Sequence, residues 1–277
     1  MCYSARAQRG RARDRLKQCR RADPQKMPLL DSEAIILRAA PLGEADKLIS
    51  FLARGLGRLR GVARGARHPR SRFGATLEPL SHVRLWFYDR AQRDLVRLSQ
   101  SELIEAFWQP SADYARTIAL HHVAEVSERL FPEREPAERG FRLLHRVLEA
   151  LASRSNPWLP LLYFQLWMVR LAGWLPALEQ CNRCQRTFAD EPCYVGVDTI
   201  GALCRRCRRP GMRVLSPASR RLAAEILSQP LTRLASAQPD QSRTAELRNY
   251  LLDVLEHHLE AKLVTRELMD EAAATKA

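Results

Sequence analysis

Two pairs of cysteines carry the sharpest chemical signal in the chain. Cys181-Asn182-Arg183-Cys184 and Cys204-Arg205-Arg206-Cys207 each set two thiols on one tight turn, with 19 residues between the pairs. A C-x₂-C turn lets two thiolates converge on one ion, and a second such turn completes a tetrahedron of sulfur. Four thiolates fill every position of Zn²⁺, so no water is left to be activated and the expected site is structural. One pair alone would be a redox couple, and an iron–sulfur cluster also takes four cysteines; the two-plus-two spacing is more like that of a zinc ribbon. Cys193 lies between the turns in Pro192-Cys193-Tyr194-Val195 and reads as a small buried apolar residue on a strand.

The second cluster is basic. From Lys47 to Leu77 the chain holds Lys47, Arg54, Arg58, Arg60, Arg64, Arg67, Arg70 and Arg72, with His68 and no carboxylate. Charges of one sign at this density repel one another unless an anion neutralises them, which points to phosphate. Glycines at 55, 57, 61 and 65 alternate with the arginines and allow a close backbone approach. They do not form a nucleotide cradle. Gly61 comes one residue too late for the dinucleotide fingerprint, no helix is expected after it, and G-x₄-G-K-[ST] occurs nowhere. Arg84, Trp86 and Tyr88 fall on one face of a strand, because side chains alternate with period two. Single-strand binders combine a basic groove with aromatic platforms on which bases stack; the same two rings could instead pack against helices. The candidate DNA contacts are therefore Arg58, Arg60, Arg64, Arg67, Arg70, Arg72, Arg84, Trp86 and Tyr88.

Catalytic groups are hard to assemble. Metal-dependent phosphodiester cleavage needs clustered carboxylates, and the pairs Glu44/Asp46 and Asp31/Glu33 read as turn and cap residues. His121-His122 and His257-His258 sit in helical patterns and read as packing or surface residues.

The elements that must position these groups change character along the chain. Residues 31–99 alternate short β-rich runs with turns: Ala34 to Leu37, Leu48 to Leu52, Arg58 to Ala63, His82 to Tyr88 and Leu95 to Ser99. Five strands in so short a span fit a small closed barrel such as an OB-fold, or a half-open sheet. After Pro110 the spacing is helical, through Tyr114, Ile118, Val126 and Leu130, then Phe141 to Leu151, then a buried helix over 161–175. Ser216-Pro217 is a helix start, with Ser as N-cap and Pro first in the helix, and Leu247 to Leu259 mark the last amphipathic helix.

Composition sets the frame. The 277 residues carry a formal net charge of +14, which suits a polyanionic partner. Half of that excess lies in residues 1–26, which hold nine Arg or Lys against Asp14 and Asp23 and read as a basic, disordered extension outside the fold. They lack the apolar stretch of a signal peptide, though they share the Arg-rich, acid-poor character of a transit peptide. Seven cysteines, an odd number, argue against a disulfide framework. The apolar run Trp158 to Leu175 is broken by Pro160, Gln165 and Arg170, so a buried helix is expected and no membrane span.

Taken in order, the motifs resemble those of the RecO family of bacterial DNA repair proteins. The resemblance covers most of residues 29–270. It runs through Glu33-Ala34-Ile35-Ile36-Leu37, Gly43-Glu44-Ala45-Asp46-Lys47-Leu48, Arg64-Gly65-Ala66-Arg67-His68-Pro69-Arg70-Ser71-Arg72, Leu77-Glu78-Pro79-Leu80 and the two cysteine turns. It implies an α+β chain: an N-terminal OB-fold over 27–107, then a helical domain over 108–277 with an inserted zinc ribbon at about 178–213, held by Cys181, Cys184, Cys204 and Cys207. It also implies a cytoplasmic, nucleoid-associated, non-enzymatic role. That role is to bind single- and double-stranded DNA, anneal complementary strands, and act with RecR to load RecA on strands coated by single-strand DNA-binding protein (SSB). An Arg-rimmed apolar groove of the helical domain is the expected seat for the SSB tail. An RNA- or ribosome-associated zinc protein shares the charge and the cysteine turns; a nuclease is the more remote alternative.

Overall fold

The computed structural model describes residues 28–89, 93–107, 113–153, 156–198, 201–234 and 241–274. The basic stretch 1–26, the turn at Arg90-Ala91-Gln92 and the expected junction at Pro110 lie outside them.

Alternating apolar residues build five strands: β1 (Leu29–Leu42), β2 (Asp46–Ala53), β3 (Gly57–Ala63), β4 (Ser81–Tyr88) and β5 (Leu95–Ala106). They close into a barrel in the order β1-β2-β3-β5-β4. β3 runs parallel to β5 and every other pairing is antiparallel. This is the five-stranded barrel of an OB-fold. Ile36, Phe51, Val83, Leu85, Phe87 and Leu98 fill the interior, and Phe51 meets Phe87 edge to face at 5.7 Å. β1 and β5 are longer than their apolar runs suggest. Their polar ends are held by cross-strand pairing, Leu42 with Asp46 and Ser81 with Ala106, rather than by burial.

The strand directions give the barrel two distinct ends. At one, the turn 43–45 joins β1 to β2 and the loop 64–80 joins β3 to β4. Successive turns run through that loop, and Ala66, Phe73 and Leu77 drop from it into the barrel core as a plug. At the other end lie the β2–β3 hairpin and the turn after β4. A strand of seven or eight residues separates the ends by about 20 Å.

Among the described residues six helices follow: α1 (Tyr114–Leu130), α2 (Glu138–Ser153), α3 (Trp158–Leu171), α4 (Pro217–Ser228), α5 (Gln241–His258) and α6 (Val264–Ala274). Asp113 caps α1 through the N–H groups of Ala115 and Arg116, and Ser216 caps α4 through that of Ser219. α3 is the expected buried helix and ends at Gly173, whose φ of +79° suits a residue without Cβ. α6 is an addition to the helices read from the sequence. Its buried described positions, Thr265, Met269 and Ala272, span about two turns, and the helix opens on the β-branched pair Val264-Thr265. Between α3 and α4 the chain makes the two-stranded β6 (Cys193–Val195) and β7 (Arg213–Leu215). Leu203 exchanges backbone hydrogen bonds with Tyr194, both at 2.8 Å.

The barrel and the helices share one core. Ile35, Leu37, Leu52 and Leu80 face outward from the barrel and are buried with Phe107, Ile118, Phe141 and Leu144. The loop after α1 adds a backbone clasp: the N–H of Arg134 donates to the carbonyl of Arg58 at 2.9 Å, and the Arg134 guanidinium bonds both oxygens of Asp89 at 2.9 and 3.0 Å. Gly57 makes this approach possible. A Cβ there would sit 2.0 Å from the carbonyl oxygen of Glu135, and its φ is +82°.

Two expected outcomes follow from this packing. Gly57→Ala should destabilise the chain by about 2 kcal/mol or more, read as a lower urea midpoint, because clash and positive φ act together. The second concerns His122, fully buried between Thr265 (2.8 Å) and Gln165 (3.0 Å). Burial holds its imidazole down at about 4. An unfolded chain protonates near 6.5, so stability is full above that pH and is lost as pH falls toward about 4. The loss is of order 3 kcal/mol. Urea midpoints at pH 7.5 and 4.5 should differ in the wild type and differ less in His122→Gln.

Candidate nucleic-acid interface and metal centre

The basic segment divides once folded. Four of its eight cations are neutralised by carboxylates remote in sequence. Lys47 pairs with Glu78 at 3.1 Å, and Arg54 with Glu33 at 3.0 Å and Glu138 at 3.2 Å. Arg58 is only 14 % exposed; it reaches Glu128 (3.5 Å), Glu133 (3.2 Å) and the carbonyl of Phe131 (2.8 Å). Arg60 meets Glu133 at 2.7 Å. Arg58 and Arg60, read from the sequence as DNA contacts, thus hold β3 to the loop after α1. A guanidinium fixed between carboxylates has little attraction left for phosphate.

Arg64, Arg67, Arg70 and Arg72 are different. All four are exposed on the loop that plugs the barrel, and among the described residues none makes an ion pair within 4.0 Å. Arg67 donates to the carbonyl of Gly43 at 2.6 Å, and its N–H donates to the carbonyl of Ala45 at 2.9 Å. Asp46 accepts the N–H of Gly65 at 2.8 Å. These bonds tie the loop to the β1–β2 turn without neutralising the guanidinium groups, because a backbone carbonyl carries no net charge. Arg72 lies over the ring of Phe73 at 5.0 Å. The loop is therefore a concentrated positive surface on a rigid support.

Arg84, Trp86 and Tyr88 do share the outer face of β4, with Trp86 and Tyr88 half-buried. Their cross-strand partners were not legible from local spacing. Arg84 lies between Glu33 and Glu102 and pairs with Asp31 at 3.2 Å; Trp86 lies between Asp31 and Gln100; Tyr88 lies between Leu29 and Arg97. Carboxylates thus flank the middle of this face. Tyr88 is at the barrel end opposite the arginine loop. The structure does not bring the two groups of candidate contacts together on one patch.

The four cysteines do come together. The sulfurs of Cys181, Cys184, Cys204 and Cys207 all lie within 4.8 Å of one another and could hold a metal ion. Cys184 and Cys204 approach to 3.7 Å, and the N–H of Cys204 points at the sulfur of Cys181 at 3.4 Å. Burial opposes ionisation of Cys181, yet backbone N–H groups of Cys184, Cys204 and Arg183 outweigh it and bring the thiol down to about 6. The Cys204 thiol is lowered in the same way, against burial, by the N–H groups of Cys207 and Arg206. Cys207 goes the other way, to about 12, through burial and its neighbouring sulfurs. Thiolates packed this closely repel, and a cation at their centre relieves that repulsion. Gly201 lets the two turns close: a Cβ there would lie 2.4 Å from the Cβ of Asn182. Cys193 stands apart, fully buried, its thiol pushed up to about 12 by that burial.

Comparison with known proteins agrees with this architecture. The family model described as recombination protein O N terminal matches residues 27–107, and that described as recombination protein O C terminal matches residues 111–267. Proteins named DNA repair protein RecO are similar along most of the chain. The one from Koribacter versatilis (strain Ellin345) is 41% identical over 243 residues, covering 88% of this chain and 99% of its own. The one from Anaeromyxobacter sp. (strain K) is 32% identical over 239 residues, covering 86% and 94%. That from Streptomyces coelicolor is 36% identical over 220 residues, covering 77% and 88%. With both halves matched in order, over the barrel and over the helices that carry the cysteine site, this chain belongs to the RecO family of DNA repair proteins.

Proposed function

We propose that this chain is a non-enzymatic mediator of recombinational repair that binds DNA through the loop 64–72 and anneals complementary strands. Acting with RecR, it would load RecA on SSB-coated single strands, in the cytoplasm at the nucleoid. The observation that carries the reading is the set of four exposed arginines, Arg64, Arg67, Arg70 and Arg72, without ion-pair partners among the described residues. A phosphodiester chain laid over them would release its counterions, a driving force that needs no covalent chemistry. Trp86 and Tyr88 would offer stacking surfaces only where the strand can pass the carboxylates beside Arg84.

Of the carboxylates at Glu44/Asp46 and Asp31/Glu33, three are engaged otherwise. Asp31 is held by Arg84, Glu33 by Arg54, and Asp46 by the N–H of Gly65. For the apolar part of the SSB tail, the groove lined by Leu130, Phe131, Pro132, Leu171 and Trp174 offers a seat; Arg129 and Arg139 share its rim with Glu135 and Glu138. No described helix is long and apolar enough to cross a membrane.

Zinc suits the cysteine cluster. A tetrahedral Zn²⁺ with Zn–S bonds of about 2.3 Å sets its sulfurs about 3.8 Å apart, close to the 3.7 Å between Cys184 and Cys204. With all four positions taken by sulfur the ion would be structural, fixing the ribbon whose Phe188, Val195 and Leu203 enter the helical core.

Binding to single-stranded DNA should weaken linearly with log salt. Changing Arg64, Arg67, Arg70 and Arg72 together to Ala should cut the magnitude of that slope by about 3, at roughly 0.7 per phosphate lost. Arg58→Ala with Arg60→Ala should leave the slope in place and lower the unfolding midpoint; the reverse pattern would refute the assignment. Cys204→Ser should lose bound zinc, measured by elemental analysis, and lower the melting temperature while the barrel stays folded.

A further inference from the structure

A second cluster of ligating side chains lies at the seam between barrel and helices, away from the cysteines. His82 on β4 and Glu105 on β5 are direct cross-strand partners on the outer face of the barrel. His145 comes down onto them from α2, and its ring meets that of His82 edge to face at 4.8 Å. One donor atom from each of the three lies within 4.8 Å of the others. The Nε2 of His145 is 3.9 Å from Glu105, its Nδ1 is 3.6 Å from Glu149, and the Nε2 of His82 is 3.9 Å from Glu33.

His82 is the observation that demands a ligand. It is 7 % exposed, and among the described residues neither of its ring nitrogens has a hydrogen-bond partner. A buried imidazole carries one donor and one acceptor, and leaving both unmade forfeits their hydrogen bonds to water without replacement. Packing does not explain the choice of residue, since an apolar ring would fill the same space against Phe141 and His145 without that penalty. The strand beside it is also irregular. The register of β4 against β5 shifts between His82 and Val83, so that His82 faces Glu105 while Val83 faces Leu103. A bulge of this kind re-aims one side chain, here the carboxylate that completes the cluster.

We propose that His82, Glu105 and His145 form a second divalent-cation site, suited to Zn²⁺, that staples the barrel to the helical domain. Two imidazoles and one carboxylate are a frequent zinc donor set. Bonds of about 2.0–2.2 Å would draw the donors to about 3.4 Å apart, a movement of roughly an ångström from their present separation. Glu105 is exposed and His145 half-buried, so both have room to make it. The surrounding charge favours a cation: Glu33, Glu105 and Glu149 face the two rings, and Arg54, itself paired with Glu33 and Glu138, is the nearby positive group. Burial, with His145 second, lowers the proton affinity of His82 and so favours the neutral form, the one in which an imidazole ligates. A site joining β4, β5 and α2 would restrain the orientation of the two domains.

The test is metal stoichiometry of the untagged full-length chain after equilibrium dialysis against Zn²⁺. The wild type should hold a second ion beyond the one lost in Cys204→Ser. Glu105→Gln, His82→Ala and His145→Ala should each lose that second ion and keep the first. Glu105→Gln alters an exposed residue, so its circular dichroism should match the wild type, and added Zn²⁺ should raise its melting temperature less. A wild type that holds only the cysteine-dependent ion overturns the proposal. So does a second ion that persists in all three variants, which would place it on other surface histidines.

Discussion

Arg58 sits where β3 meets the loop after α1, almost out of water, with Glu128, Glu133 and the Phe131 carbonyl around its guanidinium. Removing its partners would leave a largely buried guanidinium under-satisfied, so the arrangement is fixed rather than opportunistic. Gly57 admits the backbone of Glu135, Arg134 clasps Asp89, and the outward-facing Ile35, Leu37 and Leu52 continue the helical core. The barrel is thereby a rigid extension of the helices. Its opposite end, about 20 Å away along the strands, is where charge is left over. The division of labour among the arginines follows from that docking.

This division also explains why the loop 64–72 can be an effective electrostatic surface. Its turns are anchored by Ala66, Phe73 and Leu77 inside the barrel and by the bonds from Arg67 to the β1–β2 turn. Arginines held on such a support lose less conformational freedom on meeting a phosphate chain than arginines on a free tail, so more of the attraction is retained as affinity. The cysteine ribbon is set on the helical half and shares its core. Its contribution is to the platform.

The cysteine cluster was legible in the sequence because its chemistry is local. Two C-x₂-C turns specify ligands within four residues of one another, and the fold needs only to bring two turns together. The strands were legible through period-two alternation, best in His82 to Tyr88, and α4 through Ser216-Pro217. The fate of the arginines was not. A run from Lys47 to Leu77 without carboxylates looks unopposed, yet Glu33 and Glu78 arrive from 21 and 31 residues away, and Glu128, Glu133 and Glu138 from 70 to 84 residues away. Only the closed barrel and its docking decide which guanidinium groups find them. The His82, Glu105 and His145 cluster escaped for the same reason, since its members come from two strands and a helix. α6 escaped because its buried stripe is short.

The central claim is that the arginines left over at the plugged end of the barrel are the ones that neutralise a nucleic-acid backbone. Hydrogen–deuterium exchange of the full chain with and without a single-stranded oligonucleotide addresses it directly. The account predicts new protection across residues 63–73, with residues 57–60 and 131–135 unchanged. Protection confined to the outer face of β4 or to the cysteine ribbon, with the loop unaffected, would contradict it.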